Sequence, residues 1–149
     1  MDAKNQSNSE AVWIEINGST EIGSIDADVA KAIGFPEGCI QLAEGLPGPK
    51  GYGLAHVRDN HDRVRDLKNV GFEGARAAIV EVAANWDLIV KANQPNRVVL
   101  VRRHRARCLS LVVQIYNTDT GYIWSVVTIF IGPRVKAADV IYEKKITVG

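Results

Sequence analysis

The chain has 149 residues, 46% hydrophobic and 7% aromatic, which is enough apolar material for a buried core and excludes a globally disordered chain. No apolar run reaches the roughly 18 residues that a transmembrane helix needs, and the polar opening MDAKNQSNSE lacks the apolar middle of a secretory signal. The net charge of +1 conceals an asymmetry. Residues 1–50 hold 3 basic and 8 acidic side chains, whereas residues 51–149 hold 15 and 9. The second part therefore suits an anionic partner, or simply carries a solvated basic surface.

Residues 1–10 read as a polar tail. VWIEING, residues 12–18, alternates as a strand that ends in a turn at Asn17-Gly18. DADVAKAIG, 26–34, predicts a short helix capped by Asp26 and stopped by Gly34. Repeated proline and glycine then predict an irregular connector over 35–51, with one short apolar segment at 39–43. LAHVRDNHDRVRDL, 54–67, sets Leu54, Val57, Val64 and Leu67 on one helical face. A second helix is predicted near 73–85, with Ala75, Ile79, Val82 and Trp86 as its core stripe.

Strand character follows in VVLVRR (98–103), LSLVVQIYN (109–117) and YIWSVVTIFI (122–131), with a turn at Asp119-Thr120-Gly121. Residues 138–148 predict a further edge strand. The succession predicts an α+β fold in which N-terminal helices pack on a C-terminal antiparallel β-sheet. Its division is an acidic tail or accessory region over 1–50 and a compact domain over 51–149.

All three histidines, His56, His61 and His104, lie in the basic part, where a side chain titrating near neutral pH can move protons. On an ideal helix His56 and His61 point about 140° apart. Either one faces a cleft while the other caps or contacts substrate, or a turn at Asn60 draws them together. Two surface histidines on a polar helix is the plainer alternative. In VRRHRAR, 101–107, strand alternation puts Arg102 and His104 on one face and Arg103 and Arg105 on the other. Such arginines fit phosphate oxygens, or an acidic protein.

The strand at 122–131 sets Trp124, Val126, Thr128 and Phe130 on one face, opposite Ser125, Val127 and Ile129. Thr128 is thus a hydroxyl in an apolar row, needing a partner if buried and able to orient phosphate at a cleft. Tyr116 and Tyr122 can stack on a base, or form ordinary rim. Cys39 and Cys108 have no close metal-ligand partner and read as structural thiols. The chain has no HExxH or paired CxxC motif, and PGPKGYG falls short of a phosphate-binding loop. No metal site and no cofactor are expected.

The combination GYGLAHVRDNH … NRVVLVRR … GYIWSVVTIF, over residues 51–131, resembles the barnase–EndoU–colicin E5/D–RelE-like ribonuclease superfamily in its phage-associated and polymorphic-toxin branches. The resemblance implies a glycine-led helix with catalytic histidine, a strand with a basic residue and a terminal strand with a hydroxyl. On this sequence these are His56 and His61, Arg102 or Arg103, and Thr128. It also implies a ribonuclease-toxin-like fold, metal-independent cleavage of RNA, often transfer RNA, and neutralisation by an immunity or antitoxin protein. Arg105, Tyr116 and Tyr122 are the expected substrate contacts. The expected site of action is the cytoplasm, with or without delivery as part of a larger toxin. Two alternatives stand beside it: a non-enzymatic RNA-binding module, and an immunity or adaptor protein that uses its acidic first part as a partner face.

Overall fold

A computed structural model describes residues 12–105 and 107–144. The expectations for residues 1–10 and for 145–148 lie outside the described residues.

Asn17 and Gly18 take positive φ of 53° and 83° and reverse the chain, with Ile16 and Ser19 hydrogen-bonded across the turn. The turn expected here is present. The stretch before it makes single pairings, Trp13 with Ala43 and Ile16 with Ser19, rather than a continuous strand. The strand proper, β1 (Glu21–Ile25), follows the turn. Helix α1 (Ala27–Ile33) is closed at both ends as its sequence predicts. Asp26 accepts the Val29 amide at 3.0 Å, and Gly34 adopts the left-handed conformation that ends the helix.

Strand β2 (Gly38–Gln41) takes up the apolar segment of the connector. The single helix expected over 54–67 is two: α2 (Gly53–Asp59) and α3 (His61–Asn69). Asn60 divides them, at φ −95° and ψ 95°, and its side chain accepts the Arg63 amide at 3.0 Å. Asparagine competes with the helical ladder for backbone partners, so it opens a new helix better than it continues an old one. Helix α4 (Ala75–Asn85) buries Ala75, Ile79 and Val82, with Trp86 just beyond its end. The expected stripe thus faces the core, each larger side chain contributing about 1.5–3 kcal/mol of transfer free energy.

The remaining strands are β3 (Leu88–Lys91), β4 (Arg97–His104), β5 (Arg107–Thr118), β6 (Gly121–Gly132) and β7 (Val140–Glu143). β3 holds three apolar residues and an exposed Lys91, a run too short to separate from the preceding helix by periodicity. All seven strands form one sheet in the order β1-β2-β6-β5-β4-β3-β7. Only β2 and β6 pair in parallel; the other neighbours are antiparallel. The fold is therefore mixed α+β, with helices interspersed among a mostly antiparallel sheet. Residues 21–41 supply its first two strands, joined to β6 rather than set apart from it.

One face of the sheet carries Val98, Leu100, Leu109, Leu111, Val113 and Trp124 into the main core with α4. The other face has a smaller apolar cluster of Leu88, Val90, Val101 and Cys108. Between these strands lies a correction to the alternation expected in β6. Val112 pairs with Thr128 but Val113 pairs with Val126, so Val127 is an extra residue. The bulge resets the phase. Ile129, not Thr128, continues the core face of Trp124 and Val126, while Thr128 and Phe130 join Ser125 on the opposite face.

Candidate functional site

The loop before α2 folds backbone against backbone. Leu46 and Tyr52 exchange hydrogen bonds, and Gly51 donates to the Gly48 carbonyl. Gly53 has φ +74°, and a Cβ there would sit 2.6 Å from the Ala43 carbonyl oxygen. Glycine is needed at this crossing for its conformation and for its lack of a side chain. The carbonyls of Ala43 and Glu44 accept the amides of Leu54 and Ala55, so the start of α2 is anchored to the preceding loop.

That anchoring fixes His56. Its Nδ1 lies 2.7 Å from the Gly48 carbonyl oxygen, while the Gly48 amide donates to Asp59 at 3.1 Å. A carbonyl can only accept, so Nδ1 carries the proton of this bond. In the neutral ring Nε2 is then the basic nitrogen. His56 and His61 line the same hollow of about 360 Å³, closed by Gly48 and Pro49 and flanked by Asp59 and Asp62. The break at Asn60 is what lets both rings border one space. Asp62 is engaged by Arg65 at 3.3 Å.

Thr128 has a partner that the sequence did not point to. Arg63, in the first turn of α3, donates from Nη1 to the Thr128 hydroxyl at 2.7 Å, and its guanidinium lies 5.9 Å from the Phe130 ring centroid. Having accepted this bond, the hydroxyl keeps its own proton to donate. Arg63 was hidden because the bond spans 65 residues of sequence.

Arg102 and Arg103 stand elsewhere. Arg102 is on the helix face, 3.1 Å from Glu81 and 3.8 Å from Asp87, and donates to the Asn85 carbonyl. Arg103 is on the other face, 2.8 Å from Glu143. Thr128 shares a sheet row with Val112 and Val99, so Arg103 is four positions away along β4, about 13 Å. Arg105 lies in the β4–β5 turn with φ 58° and borders a separate hollow with His104 and Arg107. Tyr116 and Tyr122 fall on opposite faces, since Tyr116 pairs with Ile123 and Tyr122 with Asn117. Tyr122 is exposed. Tyr116 is half-buried, and burial first, then Tyr52, pushes its phenol up, while Arg97 and Gln114 pull it down.

The structure thus brings His56 and His61 together, gives Thr128 a cationic partner and leaves Arg102, Arg103 and Arg105 in other surroundings. Burial pushes the Cys39 thiol up, which disfavours the reactive thiolate. Among the described residues no three His, Cys, Asp or Glu side chains are grouped to hold a metal ion, and no helix is long and apolar enough to cross a membrane. A larger groove of about 820 Å³ lies between α3 and α4, where Val64, Val80 and Ala84 meet Arg58, Lys68 and Arg76. Glu73 and Glu81 also line it but no histidine does, and the hollow bordered by two histidines is the better candidate for chemistry. Comparison with protein-family models, curated proteins and solved structures returned no match to this chain.

Proposed function

We propose that this chain is a metal-independent endoribonuclease with a ribonuclease-toxin-like fold, acting on RNA of the transfer-RNA class. The observation that carries the reading is the hydrogen bond from His56 Nδ1 to the Gly48 carbonyl. It leaves Nε2 as the basic nitrogen of a ring that borders an open hollow together with His61. A fixed tautomer with a free nitrogen is what a general base needs.

In the proposed reaction His56 Nε2 takes the proton of an RNA 2′-hydroxyl, and that oxygen attacks the adjacent phosphorus. The bond from phosphorus to the 5′-oxygen breaks as protonated His61 donates to the leaving oxygen. The products carry a 2′,3′-cyclic phosphate and a 5′-hydroxyl. Thr128, supported by Arg63, donates to a nonbridging oxygen and offsets the charge that develops there. Arg102 and Arg103 are each matched by carboxylates, so Arg63 is the stronger choice for phosphate. A proteinaceous inhibitor of the immunity or antitoxin kind belongs to the same reading.

The test is a denaturing-gel assay of transfer RNA and total RNA in excess chelator, with the cut ends mapped. Wild type is expected to cut RNA but not DNA and to leave cyclic phosphate ends; His56→Ala is expected to lose at least a hundredfold in rate, the usual scale of general-base catalysis. Equal cutting by wild type and a His56→Ala/His61→Ala double variant sinks the mechanism. Salt-sensitive RNA binding with no cutting would select the binding-module alternative instead.

A further inference from the structure

Across the middle of the sheet, Arg97 of β4 pairs with Gln114 of β5, and Gln114 pairs with Ser125 of β6. Strand alternation places all three on the face opposite α4, the face of Thr128. Polar side chains here interrupt a face that is apolar farther along the same strands, at Val99, Val101 and Val112. Gln114 and Ser125 are only 6% and 3% exposed. Burying such groups is costly unless their hydrogen bonds are made.

The bonding that is made leaves an excess of donors. Arg97 Nε donates to Gln114 Oε1 at 2.8 Å. Because the guanidinium only donates, the amide oxygen must face it, and the amide NH₂ turns away. Tyr116 is the next residue of β5 on this face and adds a phenolic hydroxyl. Arg97 has no carboxylate within 4.0 Å among the described residues, in contrast to Arg102 and Arg103 on the same strand. A half-buried guanidinium held by a neutral amide, beside a phenolic hydroxyl, is positive charge that no carboxylate among the described residues offsets. A phosphate oxygen fits it in charge and in hydrogen-bonding sense.

We propose that Arg97, Gln114 and Tyr116 form a seat for one phosphodiester group of a single-stranded RNA, a group that is held rather than cut. The identity of the strand rests on the ribonuclease reading; the anion seat itself does not. The seat places its cation on the face of Thr128, two strands away and two residue positions along β4 from the Thr128 row. That displacement is about 10 Å across and 7 Å along the sheet, the scale of a neighbouring nucleotide.

The experiment uses the full chain and a 2′-O-methyl oligonucleotide, which cannot supply the attacking hydroxyl, with binding read by fluorescence anisotropy over a salt series. Arg97→Met is expected to weaken binding about tenfold and to flatten the salt dependence by about one phosphate contact. Gln114→Glu retains a partner for Arg97 while opposing a phosphate, and is expected to weaken binding at least as much. Unchanged binding in both Arg97→Met and Gln114→Glu, or no binding by wild type, overturns the seat. Inorganic phosphate binding as tightly as the oligonucleotide overturns its assignment to a strand. Arg97-dependent binding without RNA cutting supports the seat and removes the ribonuclease reading; cutting that persists with unchanged binding in both variants does the reverse.

Discussion

The Nη1 of Arg63 and the hydroxyl of Thr128 are 2.7 Å apart, which ties the first turn of α3 to the part of β6 just past its bulge. The bond is part-buried, so its loss leaves a polar group only partly reachable by water. Arg63→Met and Thr128→Val are each expected to lower stability by about 1 kcal/mol, and the double variant by less than their sum. Urea denaturation of the four proteins measures the coupling. Strict additivity would mean that the two side chains do not act as a pair in solution.

Asn60 lies between the two histidines that border one hollow. Replacing it with alanine removes the acceptor of the Arg63 amide and favours a helix that runs on through the break. Asn60→Ala is expected to cost about 1 kcal/mol of stability, the usual scale for an N-cap. On the proposed mechanism it also lowers RNA cleavage by more than that loss of stability alone would, because His56 and His61 would swing apart. Cleavage at a temperature where both proteins remain folded separates the two effects.

The same residue marks where the sequence ceased to be legible. Apolar spacing over 54–67 is correct for helical residues on both sides of Asn60, and periodicity carries no sign of a change in axis. Long β-branched runs made β4, β5 and β6 readable, and Asp26 and Gly34 gave both ends of α1. The bulge at Val127 was not readable, since it is defined by the partner strand: β5 pairs on either side of it without a gap in its own sequence. One inserted residue was enough to move Thr128 to the other face. Tertiary partners were hidden for the same reason. Arg102 and Arg103 looked like free cations in a basic run, but Glu81, Asp87 and Glu143 reach them from α4, the loop after it and β7.

Tyr116 gives a prediction in pH. Burial disfavours its phenolate, with Tyr52 adding to the effect, so the folded-state value lies above the ordinary value of about 10. The folded state therefore holds this proton more tightly than the unfolded chain does. Its contribution to stability is complete below about pH 10 and is lost as pH rises through the folded-state value. Absorbance titration at alkaline pH is expected to reveal a late phenolate component that Tyr116→Phe removes. A titration curve that loses only an ordinary, early component in Tyr116→Phe contradicts the assignment.

Gly23 reports on how closely β1 lies against α4. A Cβ at this position would run into the Ala83 carbonyl oxygen and meet Ile40 Cδ1 at 3.2 Å. The first obstacle is backbone and cannot rotate away. Relief requires β1 and α4 to separate, although β1 contributes Ile22 and Ile25 to the core and α4 contributes Ile79 and Val82. Gly23→Ala is expected to cost about 1–3 kcal/mol, in the range of overpacking, seen as a lower urea midpoint with an unchanged slope. Gly74, the N-cap of α4, has open space where its Cβ would be, so Gly74→Ala is expected to cost no more than the loss of a glycine cap, under about 1 kcal/mol. Equal, mild effects in the two variants would mean that β1 and α4 are not in close contact in solution; a selective loss in Gly23→Ala supports the edge of the sheet that residues before Gly51 build.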